Sequence, residues 1–171
     1  MNEPEEIVWQ GKYITTKRRG TWEYVSRSRG MGAAVILAIH EGAVILVEQY
    51  RVALGRKCIE LPAGLIGDMG EDEAPELAAA RELEEETGFR AGRMENLGHY
   101  YSSPGLVTEG FHLMRAHDVE QVSEGGGVDG ENITVHVVPL DDLSAFLSAK
   151  RTEDCGIDVR LLMLLGAQML A

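Results

Sequence analysis

The chain has 171 residues, 44% hydrophobic and 26% charged, which suits one domain with a full core and is too apolar for a disordered chain. Its formal net charge of −12 excludes the basic surface of a duplex nucleic-acid binder, and no nucleic-acid partner is expected. The N-terminal MNEPEEIVW is acidic without a long apolar run, so neither a signal peptide nor a membrane anchor is expected; Cys58 and Cys155, far apart in sequence, read as thiols of a reducing, cytoplasmic compartment.

Residues 7–15 are expected as a first strand, Lys17-Arg18-Arg19-Gly20 as a turn, and 21–26 as a second strand, together a small antiparallel sheet ahead of the main fold. Trp22 and Tyr24 share one side of that second strand. Core or interface packing accounts for such aromatics, and stacking on a base is the alternative. Arg18, Arg19, Arg27 and Arg29 are either phosphate and ribose contacts or ordinary exposed cations. Segments 32–39 and 43–49 are nearly continuous apolar runs, as in central strands covered on both faces, around a His40-Glu41-Gly42 turn that leaves His40 exposed. Arg51 follows the second run, where a guanidinium can grip a phosphate by paired hydrogen bonds, or form a surface ion pair. Arg56 is another candidate of that kind. Residues 58–61 form a further strand, leading into Pro62-Ala63-Gly64-Leu65-Ile66-Gly67.

The stretch 67–89 carries the densest chemistry. Its Arg81-Glu82-Leu83-Glu84-Glu85-Glu86-Thr87-Gly88-Phe89 reads as a helix ending at Gly88, with Pro75 in the first turn and Asp72 and Glu73 at the positive end. At about 100° per residue, Glu82, Glu85 and Glu86 share one arc, while Leu77, Ala80 and Leu83 form an opposite, packing face together with Glu84. Three adjacent like charges repel. Either they are a solvated acidic face, or a hard divalent cation such as magnesium offsets the repulsion.

Beyond it, 94–102 reads as a strand, Ser103-Pro104-Gly105 as a turn, and 110–116 as a strand in which His112 is packed or paired. The glycine- and acid-rich segment 121–131 is expected to be a mobile loop that closes over substrate, ending at Glu131 before a strand at 133–138. Helices are expected at 141–150 and 158–170, with Asp141 and Asp158 as N-caps. No repeat or linker divides the chain, so a single domain over 1–171 is expected, with 1–29 as the N-terminal sheet and 30–171 as the core.

Gly67, Glu73, Arg81, Glu82, Leu83, Glu85, Glu86, Gly88 and Phe89 match the spacing G-x5-E-x7-R-E-U-x-E-E-x-G-U, and through it the chain resembles the Nudix hydrolases over nearly its whole length. Glu48-Gln49-Tyr50-Arg51, Glu60-Leu61-Pro62-Ala63-Gly64, and Pro104 lying 15 residues past Phe89 are similar to the ADP-ribose pyrophosphatase branch. The resemblance implies an α+β fold, a mixed sheet between helices in an α/β/α sandwich, and a homodimer packed through the N-terminal sheet. It implies magnesium, with manganese as a substitute, held by Glu82, Glu86, Glu85 and a backbone carbonyl. That carbonyl belongs to Ala63 if the strand end sets the alignment and to Ile66 if the box glycine does; Glu71 in place of Glu73 is open for the same reason. It further implies Glu131 as general base, with Glu124 as alternative, and Glu85 and Arg81 beside it in the catalytic set. The substrate contacts implied are Arg51, Leu65, Glu109, Pro104, Trp22 and Arg18. The expected reaction is hydrolysis of a nucleoside diphosphate linked to another moiety, foremost ADP-ribose to AMP and ribose 5-phosphate. GDP-mannose, a dinucleoside polyphosphate, or a non-catalytic nucleotide-sensing module are the alternatives.

Overall fold

The computed structural model describes residues 3–28, 32–67, 73–128 and 130–169. At the N-terminus the expected first strand is two strands. β1 (Glu5–Gln10) and β2 (Ile14–Arg19) are separated by a turn in which Gly11 N–H donates to the Ile14 carbonyl (2.9 Å), and β3 (Trp22–Arg27) follows a turn at Gly20, whose φ is 61°. Lys17, Arg18 and Arg19, expected as a turn, lie inside β2. Cross-strand charge explains this: Glu5 and Glu6 of β1 stand opposite Arg19 and Arg18, and opposite charges across a ladder stabilise the pairing. The sheet order is β1-β2-β3.

The main sheet is mixed, in the order β11-β6-β5-β4-β9-β8, with β7 added on β4 and β10 on β5. Its strands are β4 (Ala33–His40), β5 (Ala43–Arg51), β6 (Arg56–Glu60), β7 (Ala63–Leu65), β8 (Phe89–Tyr101), β9 (Gly110–Gln121), β10 (Thr134–Pro139) and the short β11 (Gly156–Ile157). β4 runs parallel to β9 and antiparallel to β7 and β5. Side chains alternate faces along a strand, and both faces are buried. Ala34, Ile36, Ala38 and Ile45 pack with Ala79, Leu83 and Phe89 beneath helix α1 (Pro75–Thr87). Val35, Val44, Leu46 and Ile59 pack with Leu143, Leu147 and Leu161 beneath α2 (Leu143–Thr152) and the segment leading to α3 (Leu162–Met169). The result is an α+β fold with the sheet between helices. The N-terminal sheet joins it through Val25, whose N–H donates to the Leu106 carbonyl and whose carbonyl accepts from Thr108 N–H (both 2.9 Å).

Several expectations are corrected. Leu77 is 67% exposed, and α1 packs through Ala78, Ala79 and Leu83 instead, because small side chains let the helix approach β4 closely. His40 is not a free turn residue; its Nδ1 lies 2.8 Å from the Val119 carbonyl and its ring packs on Phe89. Asp141 lies within a 3-10 turn (Leu140–Asp142) before α2 and caps nothing, whereas the Asp158 carboxylate accepts the Arg160 N–H (2.7 Å) as expected of a cap. Segment 121–128 is tied down rather than free. Gly126 and Gly127 N–H groups donate to the Glu86 and Glu85 carbonyls (2.9 and 3.1 Å), and Val122 and Ser123 donate to that of Gly88, so the loop satisfies the open C-terminal end of α1. Gly88, at φ 74°, and Gly125 touch so closely that a β-carbon on either would overlap the other segment's backbone. Asp72 and Glu71 lie outside the described residues.

Candidate active site

The carboxylates of α1 meet the sheet at β7. Glu86 is 5% exposed, and its Oε2 accepts the Ala63 N–H (3.0 Å). Glu82 lies one turn earlier over Gly64, so close that a β-carbon on Gly64 would overlap its carboxylate. Both carboxylates line a cavity of about 200 Å³ whose floor is Ala63, Gly64 and Leu65. Gln49 and Arg51, at the end of β5, and Glu131, brought in by the loop docked on α1, complete it. Glu131 Oε2 accepts the Val128 N–H (3.1 Å), which fixes the carboxylate to its own loop.

Burial pushes the Glu86 carboxyl up to about 8. The Ala63 N–H and Arg51 oppose that rise, while the neighbouring Glu82 and Glu131 add to it. Glu82 is also raised, again first by burial, against the pull of Arg81. Arg81 clamps the helix from the side. Its Nη1 donates to Glu82 Oε1 (2.9 Å) and Glu85 Oε2 (3.0 Å), and its Nε to Glu73 Oε1 (3.4 Å). Glu73 Oε2 in turn accepts the Gly67 N–H (3.0 Å). The buried Nη2 of Arg81 has no partner among the described residues.

Arg51 is held by Glu60, which the sequence reading quoted within Glu60–Gly64 but gave no role. The Arg51 Nε and Nη2 donate to the two oxygens of Glu60 (2.6 and 2.7 Å). Glu60 is 3% exposed at the end of β6 and also faces Arg160 Nη2 at 3.6 Å. A glutamate ending an apolar strand run was the available signal, since a buried charge requires a partner.

The other candidates separate. Glu85 is engaged with Arg81 and does not line the cavity. Ala63 and Leu65 do line it and Ile66 does not. Glu124 is exposed and lies outside it. Trp22 and Pro104 come together in a different, larger cavity of about 700 Å³, with Arg19, Tyr24 and Val107. Arg18 pairs with Glu6 at 2.7 Å and lines neither cavity. Glu109 is ion-paired with Arg27, at the seam between the two sheets. Arg56 pairs with Asp154 (2.6 Å), and His112 packs on His99.

The donor set is one of hard oxygens crowded in a desolvated place, the chemistry that suits a divalent cation such as magnesium. Among the described residues no three of His, Cys, Asp and Glu form a ready-made cage. Glu82 and Glu86 are turned onto Arg81 and the Ala63 amide, which hold the like charges apart.

A Nudix-domain model matches residues 28–155. Over 125 residues the chain is 36% identical to an ADP-ribose pyrophosphatase of Bacillus subtilis (strain 168), covering 72% of this chain and 66% of that protein. Over 123 residues it is 40% identical to a GDP-mannose pyrophosphatase of Cronobacter sakazakii (strain ATCC BAA-894), covering 67% and 62%. The chain thus spans just under two thirds of the length of these two relatives. The solved structure of an ADP compounds hydrolase shares the fold, with a TM-score of 0.69 at 23% identity, covering 97% of this chain and 91% of that one. The chain belongs to the Nudix family. Every defined position of the family's box is present.

Proposed function

We propose that the protein hydrolyses the pyrophosphate bond of a nucleoside diphosphate linked to a sugar, with ADP-ribose giving AMP and ribose 5-phosphate as the foremost reaction. The observation that carries this reading is the convergence of Glu82, Glu86, Glu131 and Arg51 on one cavity beside Ala63 and Gly64. It suits a diphosphate: carboxylates for a cation on one side and a guanidinium for a phosphate oxygen on the other.

Glu82, Glu86 and the Ala63 backbone would hold magnesium, or manganese in its place, with Glu131 at the edge of the set. When bound, the cation neutralises the diphosphate and acidifies a water molecule. Arg51 grips the diphosphate through the N–H groups that Glu60 leaves unused. Arg81 stays protonated, spaces Glu82 from Glu85 and keeps the helix face in register with β7. Glu131 acts as general base. As the water oxygen bonds to phosphorus, its proton passes to a Glu131 carboxylate oxygen and the bridging P–O bond breaks. The leaving phosphate departs with the electron pair of that bond.

The whole chain acts as one Nudix domain. The N-terminal sheet pairs two copies into a homodimer, a reading supported by its exposed Ile7, Val8, Trp9 and Tyr13. Two free thiols, Cys58 and Cys155, support a reducing, cytoplasmic location. GDP-mannose is the second substrate reading, favoured by the 40% identity to a GDP-mannose pyrophosphatase.

The test is phosphate-coupled hydrolysis over a panel of ADP-ribose, GDP-mannose, a dinucleoside polyphosphate, NADH and dGTP, with magnesium and with chelator. Preference for ADP-ribose with magnesium is expected. Preference for another diphosphate replaces the substrate and keeps the chemistry. Tight binding without turnover makes the protein a nucleotide-sensing module.

A further inference from the structure

Arg51 stands at the edge of the cavity on a long side chain that is 42% exposed, yet its guanidinium is not free to wander. Two of its five N–H bonds are taken by Glu60 in a fork, at 2.6 and 2.7 Å. Glu60 is held from behind: Arg160 Nη2 faces its Oε2 at 3.6 Å. Arg160 is gripped by Asp158, which accepts from its Nε (2.7 Å) and Nη2 (2.5 Å), and the guanidinium lies over the Phe111 ring at 5.5 Å. Asp158 itself is anchored to β6, its N–H donating to the Ile59 carbonyl (3.0 Å), one residue before Glu60. The result is a continuous chain of alternating charge, Arg51–Glu60–Arg160–Asp158, from the cavity to the segment that opens α3.

We propose that Glu60 is a positioning residue for Arg51, and that Arg160 and Asp158 position Glu60; this rests on the reading of Arg51 as the group that grips the diphosphate. Two physical consequences follow. The fork orients the planar guanidinium before substrate arrives, so little side-chain freedom is left to lose on binding. It also holds Arg51 off the neighbouring box carboxylates. Glu86 lines the same cavity, and a guanidinium released from Glu60 would swing onto Glu86 or Glu82 and occupy the groups intended for a cation. Glu60 does not itself line the cavity, and the lining residue to which it is bonded is Arg51, so its effect on substrate runs through Arg51.

The test is a double-mutant cycle on ADP-ribose hydrolysis with magnesium, reading kcat and KM separately, with urea unfolding as the check on folding. R51A reports on the underlying reading: if its KM equals wild type, Arg51 does not grip the diphosphate and that reading falls. With R51A raising KM, E60Q is expected to raise KM on the order of tenfold, with kcat within about threefold of wild type, and to have less than about a twofold effect on KM in the R51A background. E60D, which keeps the charge, is expected to restore part of the loss. A folded E60Q with wild-type KM, or the same KM penalty with and without Arg51, overturns the proposal. Should E60Q fail to fold, R160K takes its place in the cycle. It keeps the charge but loses the fork to Asp158, and a KM rise that vanishes in R51A is expected; an unchanged KM overturns the proposal equally.

Discussion

Gly64 of β7 lies directly under the Glu82 side chain of α1, with no room for a methyl group between them. Gly64 does not have a positive φ, so alanine fits its backbone, and the nearest atoms its β-carbon would meet are the Cγ and carboxylate of Glu82, which must move aside. Gly64→Ala is therefore expected to leave the urea midpoint nearly unchanged while magnesium-dependent turnover falls on the order of 10²-fold, the scale of a small misplacement of a catalytic group. A full loss of turnover with a large loss of stability would place the strain in the backbone instead.

Glu86→Gln is expected to abolish magnesium-dependent hydrolysis, by at least roughly 10²-fold, since even the supporting partners of metal ligands cost that much. Its stability runs the other way. Burial raises the Glu86 carboxyl from 4.5 to about 8, so the folded state holds a proton that the unfolded chain has released. Stability from this group is complete below pH 4.5, declines as pH rises, and is lost above about 8. Urea unfolding in chelator from pH 5 to 9 is expected to show wild type weakening while Glu86→Gln weakens less. Parallel pH curves would mean that Glu86 is not the desolvated group.

Glu131→Gln keeps the size of the side chain and removes the base. A fall in kcat of roughly 10²- to 10⁴-fold with little change in KM is expected from steady-state kinetics. An unchanged rate would move the proton acceptor to Glu124 or elsewhere, although Glu124 is exposed and outside the cavity.

Glu48 is a structural counterpart. It neighbours Gln49 in sequence but faces the other side of β5, 6% exposed, where Lys57 (2.9 Å), Lys150 (2.9 Å) and His136 (3.0 Å) converge on it. Burial raises its carboxyl, and the three partners together outweigh that and hold it at about 2. Stability from Glu48 is thus present above pH 4.5 and lost as pH falls from 4.5 toward 2. Glu48→Gln is expected to cost roughly 3 kcal/mol at pH 7, less at pH 3, and to leave KM unchanged. Equal losses at both pH values would rule out the ion network as the cause.

Much of the site was legible in the residues. The box spacing sets Glu82, Glu85, Glu86 and Arg81 on adjacent turns, and Gly88 ends the helix at φ 74°. Periodicity also found β4 and β5 as strands buried on both faces. It misjudged the face of α1, where Leu77 is exposed and alanines pack, because a helical wheel ranks residues by hydrophobicity while contact with β4 is decided by how near the backbones must come. It also read one strand across Gly11 and a turn at Lys17–Arg19, because charge pairing with Glu5 and Glu6 is visible only once the two strands face each other.

The sequence by itself determined the central strands β4 and β5, the acidic helix and the family, since these depend on spacings within a few turns or strands. Only the tertiary structure decided which carboxylates share a cavity. Glu82 and Glu86 open onto β7, Glu85 is drawn away by Arg81, and Glu131 arrives because its glycine-rich loop satisfies the end of α1. Arg51 was visible as a strand-end cation, but its pairing with Glu60 was not. Their meeting depends on the β5–β6 register and on the requirement that a buried charge find an opposite one, conditions that exist only after the chain has folded.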